Sequence, residues 1–121
     1  MNDLRMKRVE SLIREQVSTL IMSGDIKDPR VNTLLSITSV KVSNDLSSAR
    51  VFVSGLEGDA KLKKSVAALN HAAGFIQNRI GKQIRMRLTP RLRFEADTSA
   101  RDGFMLNQKI DHLLHNESEE E

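Results

Sequence analysis

The sequence predicts an α+β layer fold: one β-sheet with helices packed on one of its faces. Three observations predict it. Apolar residues at three- and four-residue spacing open the chain. Two runs rich in β-branched residues follow, with only a short polar loop between them. A second pair of helical stretches then leads into a run in which apolar residues alternate with arginine. The order is helix, strand, strand, helix, helix, strand, with a short helix appended.

Residues 4–22 carry Val9, Leu12, Ile13, Val17, Leu20 and Ile21 as one stripe, with Lys7, Ser11, Arg14 and Ser18 opposite, and Gly24 is a natural stop. Asp28-Pro29 begins a new direction. Residues 34–43 and 49–55 read as two strands joined through "NDLSS", most simply a hairpin, and the alternation of the first slips near Ser39, the mark of a bulge. Asp59 is placed to cap a helix whose stripe is Leu62, Val66, Leu69 and Ala73. The helix after Gly74 turns Phe75, Ile76 and Ile80 inward and ends near Gly81. From Arg85 to Glu95 the alternation is strict. Met86, Leu88, Leu92 and Phe94 take one face, Arg85, Arg87, Arg91 and Arg93 the other, and Pro90 argues for an edge strand or a local bulge. Residues 97–103 read as a loop and 104–115 as the last helix.

A chain of 121 residues has the size of one domain. Residues 1–116 are read as that domain and 117–121 as a disordered acidic tail. No apolar run reaches the ~18 residues of a membrane span, and the charged N-terminus does not read as a secretory signal. With no cysteine, disulfides, thiol catalysis and thiolate metal sites are excluded, which fits a cytoplasmic protein. The net charge of +3 hides an asymmetry. Four of the 16 acids are Glu117, Glu119, Glu120 and Glu121, and without them 19 basic residues stand against 12 acids. A body of that sign suits a polyanionic partner.

Catalytic chemistry is poorly represented. There is no Gly-rich phosphate loop and no cofactor motif. His112 and His115 share a helix face without a third metal ligand nearby, so they read as exposed histidines near the end of the chain. His71 reads as a helix-surface residue. Asp97 and Asp102 form a carboxylate pair that would suit a metal-dependent nuclease, but they sit among turn residues that explain them more simply. The expectation is a non-enzyme without cofactor or metal.

One constellation rises above this background. Arg79, Lys82, Arg85, Arg87, Arg91 and Arg93 follow one another with no acid between them. A solvated outer face normally mixes signs. Like charges repel, and phosphate is the obvious counter-ion, since arginine forks bind its oxygens in pairs. These six residues, with Lys7, are the candidate RNA contacts. Tryptophan and tyrosine are absent, and Phe52 alone shares a strand face with Arg50. Base reading therefore looks poor, and backbone and shape recognition of structured RNA looks good.

The element order matches the type II K-homology fold, in which a Gly-x-x-Gly loop between the two central helices clamps the nucleic-acid backbone. Ala72-Ala73-Gly74 stands at that place here. In this the chain resembles the ribosome-binding factor A family, whose K-homology-like domain replaces the clamp with a kinked helix. "DPRV" (28–31), "VSNDLSSARVFVS" (42–54), "ALNHAAGFIQNRIGKQIRMRLTPRLRFEAD" (68–97) and Ser99, Asp102 and Gly103 look like that family's successive blocks. Two positions depart from its pattern: Gln77 stands where a basic residue is usual, and Arg91 where a glutamate is frequent. The resemblance implies a monomeric, non-enzymatic factor that binds the free small ribosomal subunit and its RNA. It implies help with late maturation and with 5′-end processing, above all in the cold. It also implies that Ala72, Ala73 and Gly74 form a helix kink.

Overall fold

The apolar stripe of the first helix sets how the rest of the chain is layered. The computed structural model describes residues 3–31, 34–84 and 89–98. Helix α1 spans Asp3–Ser23 and buries Val9, Ile13, Val17, Leu20 and Ile21. Leu12, expected in that stripe, is 36% exposed. It lies about 100° round the helix from Ile13, at the margin of the buried arc. Gly24 ends the helix at φ 74°, a conformation glycine adopts without strain. In the turn that follows, the Asp28 carboxylate accepts the Arg30 backbone N–H at 3.0 Å and two guanidinium bonds at 3.1 and 2.8 Å. The buried Ser65 hydroxyl donates to the Arg30 carbonyl at 2.6 Å and ties this turn to the rest of the domain.

Strands β1 (Ser36–Val42) and β2 (Ser48–Ser54) form the expected antiparallel hairpin, each within two residues of the stretch read from sequence. Their loop is organised by Asp45, which accepts from the Ser43 hydroxyl at 2.8 Å and from the Ser47 hydroxyl and N–H at 2.7 and 3.1 Å. The register shifts between Ile37 and Ser39, so the bulge is real. It lets Ile37 and Val40 both face the core although they are three residues apart. Thr38, the extra residue, donates its hydroxyl to Asp97 at 2.5 Å.

Helix α2 spans Asp59–His71 and buries Leu62, Ser65, Ala68 and Leu69. Asp59 is not its cap. Gly58 holds that position at φ 102° with no side-chain cap bond, and Asp59 is the first helical residue, beside the positive end of the helix dipole. Helix α3 spans Ala73–Ile84, so Ala72 alone separates the two helices. Hydrogen bonding continues through the break: the Ala72 N–H reaches the Ala68 carbonyl and the Ile76 N–H the Ala72 carbonyl, both at 3.0 Å. Gly74 is the second residue of α3, and a Cβ there would meet no atom within 4 Å. Gly81, expected as the helix end, lies inside α3. A Cβ at this position would stand 2.6 Å from the Thr89 hydroxyl, so this glycine serves the close passage of the chain on its way to the last strand. Ile76 and Ile80 are buried, whereas Phe75, expected beside them, is 44% exposed.

Strand β3 spans Arg91–Ala96 and is shorter than the alternating run suggested. Thr89 and the buried Pro90 precede it outside the ladder. Leu92 and Phe94 face inward and Arg91 and Arg93 outward, as the alternation requires. Met86 and Leu88, the last helix at 104–115 and the tail at 117–121 lie outside the described residues. The sheet order is β1-β2-β3, with β3 parallel to β2, a pairing that the long two-helix crossover makes possible. α1 packs on β1 and α3, while α2 and α3 pack against β3. The helices reach both sheet edges. Glu10 accepts the outward N–H of Val42 at 2.9 Å. Gln77 accepts that of Leu92 at 3.1 Å. Asn70 accepts the Phe94 N–H at 2.8 Å and donates to the Phe94 carbonyl at 3.0 Å.

Three outcomes follow from this architecture. Asn70→Ala leaves two strand groups without partners and should cost about 1–2 kcal/mol in urea unfolding; an unchanged midpoint would show that water replaces the clamp. Gly74→Ala should stabilise by about 0.5 kcal/mol, because α3 offers room and an ordinary backbone there; a loss of stability would mean that the break depends on glycine. Asp28 and Asp45 are both held at about 2, below the ordinary 3.8, by side-chain hydrogen bonds from Arg30 and from Ser47 and Ser43 respectively. Protonation removes what they contribute, so that stability is whole above pH ~4 and drains as pH falls through ~2. Thermal melts of an Asp28→Asn, Asp45→Asn double variant should show a shallower decline across this window than the native chain.

Candidate nucleic-acid interface

Strand alternation places every second residue on the sheet face that no described helix covers. On β1 this is Lys41, between buried Val40 and Val42. On β2 it is Arg50, between buried Ala49 and Val51. On β3 it is Arg91 and Arg93, on either side of buried Leu92. Register then decides which of these meet. Lys41 stands opposite Arg50, and Arg50 stands opposite Arg93, so one row crosses all three strands and every residue in it is cationic. Arg91 lies in the row beside Ser48.

Like charges directly opposite one another destabilise a sheet, and one acid relieves this row. Glu95, one row further along β3, accepts from Arg50 Nε at 2.6 Å, and that bond holds its carboxyl below the ordinary glutamate range. Among the described residues no carboxylate makes a salt bridge to Lys41, Arg91 or Arg93. Among the described residues the face therefore carries Lys41, Arg91 and Arg93 outside any salt bridge, with Glu95 bonded to Arg50 and acting on Arg93 only through charge at longer range. This arrangement binds a chain of phosphates by charge and by arginine forks.

The other candidate residues do not join this face. Gln77 hydrogen-bonds to β3 from α3; Arg79 lies about 200° further round the helix and points away. Arg79 instead pairs with Asp25 at 3.1 Å and sits 5.7 Å from the centroid of the Phe75 ring, beside a groove of about 330 Å³ between α1 and α3. Lys82, exposed three residues on, shares that side of α3, and Lys7 is exposed on α1. Arg85 and Arg87 lie outside the described residues. Ala72 and Ala73 pack half-buried against the core, and Gly74 is exposed. Sequence reasoning missed Lys41 and Arg50. Alternation alone turns both outward, but only the strand register shows that they share a row with Arg93.

Asp97 accepts from Thr38 and fastens the bulge, and its expected companion Asp102 lies outside the described residues. Among the described residues no three His, Asp or Glu side chains cluster as metal ligands.

Comparison with known proteins agrees with this fold. A sequence profile described as Ribosome-binding factor A matches residues 5–114. Ribosome-binding factor A of Treponema pallidum is 46% identical over 112 residues, 93% of this chain and 89% of the relative. The crystal structure of ribosome-binding factor A from Thermus thermophilus superposes with a TM-score of 0.64 at 25% identity, covering 75% of this chain and 94% of that one. Coordinates of the Thermus thermophilus protein, fitted as a homology model into a cryo-EM map of a 30S–RbfA complex, superpose with a TM-score of 0.54 at 25% identity, covering 72% of this chain and 93% of that one. With its helix-strand-strand-helix-helix-strand order, its Ala72 break in place of a clamp loop and this degree of identity, the chain belongs to the ribosome-binding factor A family and has its K-homology-like fold.

Proposed function

We propose that the chain is a ribosome assembly factor. It binds the free small ribosomal subunit through phosphate contacts to its RNA and assists late maturation, including processing at the RNA 5′ end. It acts as a cytoplasmic monomer and is not an enzyme. Family membership and the relative fitted into a 30S complex support the partner. The observation that carries the mode of binding is the cationic row Lys41–Arg50–Arg93, with Arg91 beside it on the helix-free face. Arg79 and Lys82 form a second, separate patch on α3. A role that grows in the cold follows from RNA physics, since misfolded RNA helices are harder to escape at low temperature and a binder that biases them gains weight.

The test is a salt titration with free small subunits. Removing one cation that neutralises a phosphate lowers the slope of log affinity against log salt by about one. Lys41→Ala with Arg93→Ala should therefore lower it by about two and weaken binding, while a thermal melt stays within about 0.5 kcal/mol of the native chain. Unchanged slope and affinity would sink this surface as the RNA-binding one. Co-sedimentation tests the partner: saturable binding to free small subunits in preference to joined ribosomes is expected, and equal binding to any structured RNA would make the chain a general RNA binder.

A further inference from the structure

Phe52 is, among the described residues, the one aromatic ring on the helix-free face: Phe94 is in the core and Phe75 is on α3. It stands on the central strand, one row beyond the cationic row, with Ser39 opposite it on β1 and Glu95 on β3. Among the described residues no helix packs on this side, and Phe52 is half-buried there rather than part of the core. Two cations converge on its ring, the Arg50 guanidinium carbon at 5.0 Å and Lys41 Nζ at 5.8 Å from the centroid. The bond to Glu95 holds the guanidinium in place.

We propose that this face seats one unpaired nucleotide, its base stacked on Phe52 and Arg50 and its flanking phosphates on Lys41 and Arg93. This rests on the reading of the face as the RNA-contacting one and narrows it to RNA that is single-stranded or bulged at that point. Three observations converge on this ligand. Rings and guanidinium planes are the two protein groups that stack on any base, and here they are neighbours. Rows two residues apart along a strand are separated by about 6.6 Å, so the phosphate-binding row lies within one nucleotide of the ring. Ser39 is too short to cover the ring on the β1 side. A base still paired inside a helix cannot reach a ring that lies on a sheet, and this sets the requirement for an unpaired one.

The chain has neither tryptophan nor tyrosine, so Phe52→Trp installs a single fluorophore at the site. The probes are a short mixed-sequence RNA strand and the duplex it forms with its complement. Saturable quenching by the strand and none by the duplex is expected. In a companion variant, Phe52→Leu, affinity for the strand should fall about tenfold, with duplex affinity and salt slope unchanged. Native binding of both probes by Phe52→Leu would overturn the proposal, as would a tryptophan whose emission ignores the strand. So would a change in sedimentation mass without a change in RNA affinity, which would assign the face to a second copy of the chain. Failure of the underlying phosphate reading shows separately, as an unaltered salt slope for Lys41→Ala with Arg93→Ala.

Discussion

A three-stranded sheet has two edges, and an edge presents backbone donors and acceptors that must be satisfied or screened. In this protein three side chains from the helices take up four of those groups: Glu10 one at β1, and Asn70 and Gln77 three at β3. Much of the architecture depends on that arrangement. It draws the helices to one side of the sheet and around its rims, which leaves the opposite face uncovered by any described helix. It also gives the helix break a reason. Asn70 and Gln77 are seven residues apart, which on a straight helix spans about 10.5 Å. Their targets, Phe94 and Leu92, are alternate strand residues about 6.6 Å apart. Placing Ala72 between the two helices lets both side chains converge on one short strand. Gln77 is here an edge clamp.

The bare face follows a different logic of charge. A core-facing residue is chosen for volume, and its neighbours along the strand are left to meet solvent. On β1, β2 and β3 those neighbours include Lys41, Arg50, Arg91 and Arg93, and the register aligns three of them. Glu95 relieves Arg50 by a salt bridge and Arg93 by charge at longer range, and leaves Lys41 and Arg91 without a described salt-bridge partner. A polyanion placed there replaces repulsion with attraction.

How far the residues foretold this differs between fold and site. Helix periodicity and strand alternation depend only on local spacing, so every described element, the order of the layers and even the bulge near Ser39 could be read in advance. Errors fell where tertiary contact overrides local pattern. Gly81 reads as a helix stop and is a point of close passage to Thr89. Leu12 and Phe75 are apolar and lie at the margins of buried arcs. Asp59 has the chemistry of a cap, but Gly58 occupies the bend. For the site, alternation revealed the outward turn of Arg91 and Arg93. It gave no means of knowing that β3 returns parallel beside β2, which is what sets Arg93 beside Arg50 and, through it, Lys41. Contiguity in sequence pointed instead to Arg79, which lies against α1 with Asp25.

The clamp at Asn70 also bears on the order in which the chain assembles. β3 bonds to a strand that precedes it by some forty residues and, in the same movement, to side chains on α2 and α3. Its docking therefore closes the long crossover and locks the two helices at once. An edge strand held by its ladder alone frays residue by residue. This one can leave only if the helix pair loosens with it, which makes α2, α3 and β3 one cooperative unit that forms and opens together.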